Sequence, residues 1–495
     1  MSTNEISNKK KRSFFGVKER GSTIGREILA GAVVFLAMIY ILPVNSSILG
    51  GMGAIDGVGM NAQGVFAATA IASAVATMIM ALIAKYPVAL SAGMGMNAFI
   101  AYTICGSLGY NWIEAMALVL IAGVLFFIMT LTPIRKMIIE AMPADLKLII
   151  SAGLGCFICF VGLKGSGLIA ADPGTLVALG SFADPSVLLA LFGVILVFVC
   201  MMIPNKRVQQ MAIVIAMAST AVLGVILGFC GVNGMPAFVD MTKADSWIGP
   251  LNGLKDVFGK CFNGEAMLSV LKQPTSYALI FSLIFVNLFD TTATLVAIGK
   301  DTGIMNEKGE MVGGKKAMLA DAAGAVICAP LGTSTVTSFA ESTIGVEFGA
   351  RTGLSALTTS ILFLCSLFLY PLFSVFTSSS VTCMALVAVG ALMFTNNLKQ
   401  INWNDKIVAF TTFLTLIFML LTYSLSNGLG LGLILYIVMM LVAKRGKEIK
   451  PILYVIGAFF LISFAVNAVI PLLGSSDELE EFNIIFQYLS QKPSI

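Results

Sequence analysis

The sequence predicts an all-α polytopic membrane protein built as an inverted repeat of two halves. Three observations lead there. The 495 residues are 58% hydrophobic and only 11% charged, with a mean hydropathy of +0.95. A soluble domain carries about 25% charged residues, so this chain cannot cover a water-facing surface of ordinary proportions. That excludes a soluble multidomain enzyme, and it excludes disorder. Charge-free runs long enough to approach the ~20 residues of a membrane helix recur along most of the chain. Finally, one segment in each half is short and interrupted at a corresponding position.

The elements follow in order. Residues 1–27 form a basic N-terminus with Lys9, Lys10, Lys11, Arg12, Lys18, Arg20 and Arg26. Apolar segments are expected at 28–49, 64–84, 87–107, 115–132, 148–163, 187–203 and 211–230, then at 275–299, 317–331, 333–349, 353–376, 381–397, 407–425 and 427–443, with a further run at 451–472. The first lacks an A-x-A cleavage site and reads as a span rather than a signal peptide. Cationic loop residues set orientation. The basic N-terminus is therefore placed in the cytoplasm, and Lys85, Arg135, Lys136, Lys206, Arg207, Arg351, Lys399, Lys406, Lys444 and Arg445 fall on the same side. The 231–274 loop, read as extracytoplasmic, separates seven segments from at least seven more. An odd number per half inverts the second half, the arrangement of transporters whose substrate site lies between discontinuous helices. Residues 444–495 hold a basic loop, the run 451–472 and an acidic tail with Asp477, Glu478, Glu480 and Glu481, whose side of the membrane the pattern leaves open.

The third segment of each half carries the interruption. The first contains Tyr86-Pro87 and Ser91-Ala-Gly-Met-Gly-Met-Asn97; the second contains Thr333-Ser-Thr-Val-Thr-Ser338 ahead of Phe339-Ala-Glu341. Ser, Thr and Val favour extended backbone. Each segment is expected to hold a short strand leading into a half-helix. Bare backbone at membrane depth must be satisfied by protein, so the two strands could pair with each other. The positive ends of the half-helices would then point at the site.

Intramembrane carboxylates mark function by default. Asp290 lies mid-segment and Glu341 lies where the second broken segment resumes as a helix. A capped carboxylate that merely holds the fold is the competing reading. Asn97 offers an amide, although an amide can also serve broken backbone. Asp321 and Glu347 lie nearer segment ends and read as structural or interfacial. Two acids and an amide suit a ligand rich in N–H donors, such as a heterocyclic base, on whose flat ring Phe289, Phe99 or Phe339 could stack. Histidine is absent, which removes the commonest general base and metal ligand. Desolvation disfavours the charged form of a carboxylate, so Asp290 and Glu341 are the candidate proton carriers. One proton moved through 100 mV gains about 2.3 kcal/mol, enough for roughly 50-fold accumulation of a neutral solute.

Other motifs are set aside. Gly309–Lys315 matches most of a P-loop, but Lys316 replaces the magnesium-binding Ser or Thr. Cys156-x-x-Cys159 lies inside an apolar run and reads as packing. Neither a cofactor, a metal, nucleic acid nor catalysis is called for; the partners expected are the bilayer and a small solute.

Four stretches resemble the AzgA-like purine permease branch of the nucleobase/ascorbate transporter family: Phe35–Asn45, Ala92–Phe99, Val286–Leu295 with Gly299 and Gly303, and Gly332–Ser342 with Gly345 and Arg351–Gly353. The resemblance implies about 14 transmembrane helices in a 7+7 inverted repeat. A core domain would comprise 28–132 and 275–376, and a gate domain 144–230 and 381–443. It implies proton-coupled uptake of adenine, guanine or hypoxanthine across a bacterial plasma membrane by an elevator-like movement. Asn97, Asp290 and Glu341 match the family's binding residues, with Gly95, Phe289, Thr337 and Ser338 beside them. Homodimers are common in the family. The residues alone do not choose protons over sodium, and another nucleobase (xanthine, uracil) or a small anion is the alternative on the same fold. The acids at the site argue against an anion.

Overall fold

The computed structural model describes residues 14–51, 59–236, 244–301 and 314–469. Helices dominate, with four short strands: β1 (Leu90–Ala92), β2 (Ile169–Asp172), β3 (Leu176–Leu179) and β4 (Val336–Ser338). Among the described residues, nine helical runs are long and apolar enough to cross a membrane. A tenth arises if Gly264–Lys272 and Pro274–Leu288, bent by 98°, form one span. The segments that fall short are informative. The 333–349 segment holds only the six-residue helix Ser342–Glu347, because β4 takes up its first part. The 407–425 segment is the 16-residue helix Lys406–Leu421.

The expected break in each half is present. β1 pairs antiparallel with β4, and among the described residues no other strand joins them. The register sets Leu90 against Ser338, Ser91 against Thr337 and Ala92 against Val336. Two flanking bonds extend the ladder, from Gly93 N–H to Thr335 O (2.9 Å) and from Phe339 N–H to Ala89 O (3.0 Å). The strands' backbone is thus satisfied partly across the two halves and partly within each, where Leu90 N–H bonds Thr77 Oγ1 and Ser338 N–H bonds Asp321 Oδ1. β1 feeds the helix Met94–Ala98, which continues as a π-helical stretch to Ser107; β4 feeds Ser342–Glu347.

Packing sorts the helices into two groups. Ile24–Met38 lies against Gly353–Ser366, and Gly314–Leu331 lies against both Trp112–Leu131 and Ala62–Ile79. In the other group, Ser379–Leu398 runs along Ala144–Gly165, and Pro185–Met202 packs on Ala212–Phe229. Gly155 and Gly390 let the first of these pairs meet backbone to backbone. A Cβ on Gly155 would lie 2.6 Å from Gly390 O and 2.7 Å from Phe394 N.

Two features go beyond the sequence reading, and a third falls where an apolar segment was expected. The 231–274 loop is not a plain connection. It contains helices Ala244–Val257 and Gly264–Lys272, and Asn61 Nδ2–H donates to Asp256 Oδ2 at 2.7 Å to hold it on the first half. Residues 169–179 form an exposed hairpin from β2 and β3. Within the run 451–472, Pro451–Val469 is a helix that packs on Leu425–Val442 and Pro274–Asp301. Phe281 meets Phe459 and Phe460 there at 4.6 and 5.4 Å. The acidic tail and most of the Gly309–Lys315 motif lie outside the described residues.

Candidate functional site at the paired strands

The first span has a break that its apolar composition hides. Its helix divides into Ile24–Met38 and Ile41–Gly50, with Tyr40 in between. Pro43 is the cause. It has no N–H to give to Ile39 O, four residues earlier, so the ladder breaks there. The backbone re-forms around the gap with Leu42 N–H bonded to Ile39 O at 3.3 Å and Val44 N–H to Tyr40 O at 3.1 Å.

The broken segments and the helix Pro274–Asp301 converge. That helix touches β4 and both half-helices, Met94–Ala98 and Ser342–Glu347. Asn97 is fully buried on the first half-helix. Its Nδ2 reaches only Met94 Sδ, at 3.8 Å, and its Oδ1 has no hydrogen-bond partner among the described residues. Glu341 is half-buried and stands at the cap position of the second half-helix, yet it makes no capping bond. Its Oε1 instead accepts the Tyr40 hydroxyl at 2.6 Å. The competing reading of Glu341 as a helix cap is therefore not what the geometry gives.

The remaining sequence candidates occupy different settings. Ser338 commits both its N–H and its hydroxyl to Asp321 Oδ1, at 3.1 and 2.9 Å. Thr337 is buried opposite Ser91 in the ladder. Gly95 faces the other helix group, where any Cβ would collide with the Leu154 side chain. Phe99 and Phe339 are buried. The backbone of Phe289 and Asp290 belongs to the helix Pro274–Asp301, but their side chains lie outside the described residues. Glu347 meets Gln210 of the other helix group through a side-chain hydrogen bond, an interfacial position.

Three groups lie outside the candidate set read from the sequence. Asp321, read there as structural or interfacial, is fully buried. Besides Ser338, its Oδ1 accepts Thr291 Oγ1–H at 3.1 Å, and its Oδ2 lies 3.9 Å from Arg135 Nη2. Arg135 is itself buried, donates to Thr130 Oγ1 and Met318 O at 3.2 Å each, and lies over the Phe126 ring. Asn287, on the converging helix, has an Oδ1 without a partner among the described residues. Tyr40 is the third; a tyrosine in an apolar run gives no sequence signal beyond its phenol.

The elements that converge here therefore carry acceptors: Asn97 Oδ1, Asn287 Oδ1 and the Glu341 carboxylate. Such a set recognises N–H donors. An unpaired buried acceptor costs about 1–3 kcal/mol, which a donor-rich ligand would recover. Among the described residues, no three potential His, Cys, Asp or Glu ligands converge on a metal position. A cavity of about 500 Å³ lies between Ser46, Ser47 and Gly51 on one side and Gly162, Thr382 and Leu386 on the other, with Tyr102 in its wall; Asn97, Asn287 and Glu341 do not line it. Above the strands, Asn45 Nδ2 donates to Thr69 and Thr333 hydroxyls at 2.7 and 2.8 Å, joining the first span to the approach of β4.

Comparison with known proteins gives matches of two kinds. Residues 25–431 match the Permease family. The chain is 40% identical over 456 residues to the guanine/hypoxanthine permease PbuG of Bacillus subtilis, covering 92% of this chain and 99% of that one. It is 32% identical over 448 residues to the adenine permease AdeP of Escherichia coli, covering 90% and 94%. Among solved structures, the transmembrane domain of the cyanobacterial bicarbonate transporter BicA superposes with a TM-score of 0.56 at 14% identity, covering 81% of this chain and 97% of that domain. At that identity the likeness speaks for the fold alone, a 7+7 inverted repeat.

Proposed function

The chain belongs to the Permease family, the nucleobase/ascorbate transporters, and from that premise we propose that it takes up purine nucleobases together with protons. It is a multi-pass membrane transporter, not an enzyme. The substrates are adenine, guanine or hypoxanthine, the membrane is the plasma membrane, and the N-terminus is cytoplasmic. The names of the relatives support the substrate class.

The observation that carries the reading is the acceptor set on the two segments joined by β1 and β4. A purine base brings ring N–H groups, and in adenine and guanine an exocyclic amine as well, to Asn97 Oδ1 and Glu341. Asp290, on the helix that touches both half-helices, is the third binding residue. Asp290 and Glu341 carry the coupling proton. The elements 28–132 and 275–376 form the moving core and 144–230 with 381–443 the gate; the two packing groups and the cavity between Ser46 and Thr382 support an elevator-type exchange of access.

The test is uptake of labelled hypoxanthine, guanine and adenine in cells without their own purine permeases, at pH 6 and 8, with and without a protonophore. Uptake of at least one base, stronger at pH 6 and abolished by the protonophore, is expected. Asp290→Asn and Glu341→Gln should each lower it at least tenfold while the protein still reaches the membrane. Near-wild-type uptake in either variant removes that residue from the site. A membrane-inserted wild type that moves no purine defeats the reading.

A further inference from the structure

The break at Tyr40 leaves its phenol hydrogen-bonded to Glu341. The half-helix Ser342–Glu347 packs on Ile24–Met38. Gly345 permits this approach, since a Cβ there would lie 2.5 Å from Val34 Cγ2. The contact sets the height of Glu341 relative to the first span. The helix ladder is interrupted at Ile39 and Tyr40, and from that interruption the Tyr40 side chain reaches Glu341. Tyr40 is only 2% exposed, and its hydroxyl lies 2.6 Å from Glu341 Oε1. No other residue donates to that carboxylate among the described residues.

We infer that Tyr40 is a positioning residue for the substrate. It holds one oxygen of Glu341 and so fixes the plane of the carboxylate, leaving the remaining acceptor capacity aimed at an N–H of the bound base. A carboxylate at the start of a six-residue helix, without a capping bond, has freedom to rotate about its side-chain torsions. A single charge-assisted hydrogen bond of this length removes that freedom. Binding a planar ligand demands such fixed geometry, whereas holding the fold does not. The inference rests on the purine-uptake reading and assigns to it a residue outside the acid and amide set.

The experiment is saturation kinetics of base uptake for wild type, Tyr40→Phe, Glu341→Gln and the double variant, normalised to protein in the membrane. Tyr40→Phe should raise KM roughly tenfold, the loss expected of one hydrogen bond to a charged group, with Vmax within about twofold of wild type. The double variant should be no worse than Glu341→Gln alone, because Tyr40 acts through Glu341. A KM for Tyr40→Phe within about twofold of wild type would overturn the inference, as would losses that multiply in the double variant. A Tyr40→Phe protein that fails to reach the membrane would assign Tyr40 to folding and overturn it too. The wild type in the same cells separates the two levels. If it moves no purine, the functional reading falls and takes the inference with it; if it does and KM is unchanged in Tyr40→Phe, the inference falls alone.

Discussion

Replacing Asp321 by Asn removes one charge and almost no volume. The amide oxygen of Asn can still accept from Ser338 and Thr291, so the three bonds now made to Oδ1 need not be lost. What changes is the partnership with Arg135, 3.9 Å away and buried with it. Two unit charges at that separation interact by about 4 kcal/mol at an effective dielectric constant of 20. Removing one partner of a buried pair costs about 3–5 kcal/mol, because the other charge is left uncompensated. A destabilisation of 1 kcal/mol lowers the midpoint of a 250-residue protein by roughly 2 °C, and a chain twice as long by about half of that. Asp321→Asn should therefore lower the apparent melting midpoint of the detergent-purified protein by about 4 °C. Arg135→Gln combined with Asp321→Asn should recover most of the loss, since no unpaired charge then remains. An unchanged midpoint in Asp321→Asn, or a double variant that melts lower than the single one, would refute the argument.

Two further outcomes follow from the packing and from the basic loop. Gly390→Val should reduce the amount of folded transporter severely, because the new Cβ would lie 2.7 Å from Cys159 N and backbone cannot step aside; quantifying monodisperse protein after extraction checks this. At the N-terminus of Lys406–Leu421, Arg445 pairs with Asp405 at 2.6 Å and with Glu448 at 2.9 Å. The Arg445 hydrogen bond, first among the causes, holds the Asp405 carboxyl below the usual carboxylate range, and it does the same for Glu448. A carboxyl depressed in the folded state contributes stability above its unfolded pKa, near 4, and loses that contribution as pH falls through the folded value. Arg445→Gln should accordingly melt lower than wild type at pH 7, with the gap closing as pH falls below the ordinary carboxylate range. A gap that persists unchanged at acid pH would contradict the assignment.

How much of this was legible in the sequence depends on what each residue announces locally. Pro87 and the Ser/Thr run before Phe339 declare their own backbone, so the broken segments and their pairing could be read without a fold. The burial of Asp321 could not. Lys315 and Lys316 open its segment and make it look peripheral, and only the covering strand β4 brings Asp321 under the site. Arg135 looked like a loop cation for the same reason. Helix Ala244–Val257 escaped notice because Pro250 and its glycines blur the apolar period, while its stability comes from docking on residues far earlier in the chain, as between Asn61 and Asp256, 195 positions apart. Glu341 was legible as a carboxylate, but its orientation was not. That depends on Tyr40, 301 residues away in the chain, and on a proline whose effect is felt four residues upstream.

The pairing of β1 with β4 also bears on how the chain is made. Ala92 leaves the ribosome 244 residues before its partner Val336. At ~5–20 residues per second that interval is roughly 10–50 s. Throughout it, the backbone of β1 beyond Leu90, which Thr77 of the same half already serves, lacks the partners that β4 will bring and that the bilayer cannot supply. The first half must therefore wait, sheltered by the insertion machinery or by water, until the second half arrives. Biogenesis of this transporter is governed by the same few backbone bonds that bring its two halves together, and the first half expressed alone should be cleared as an unfinished membrane protein.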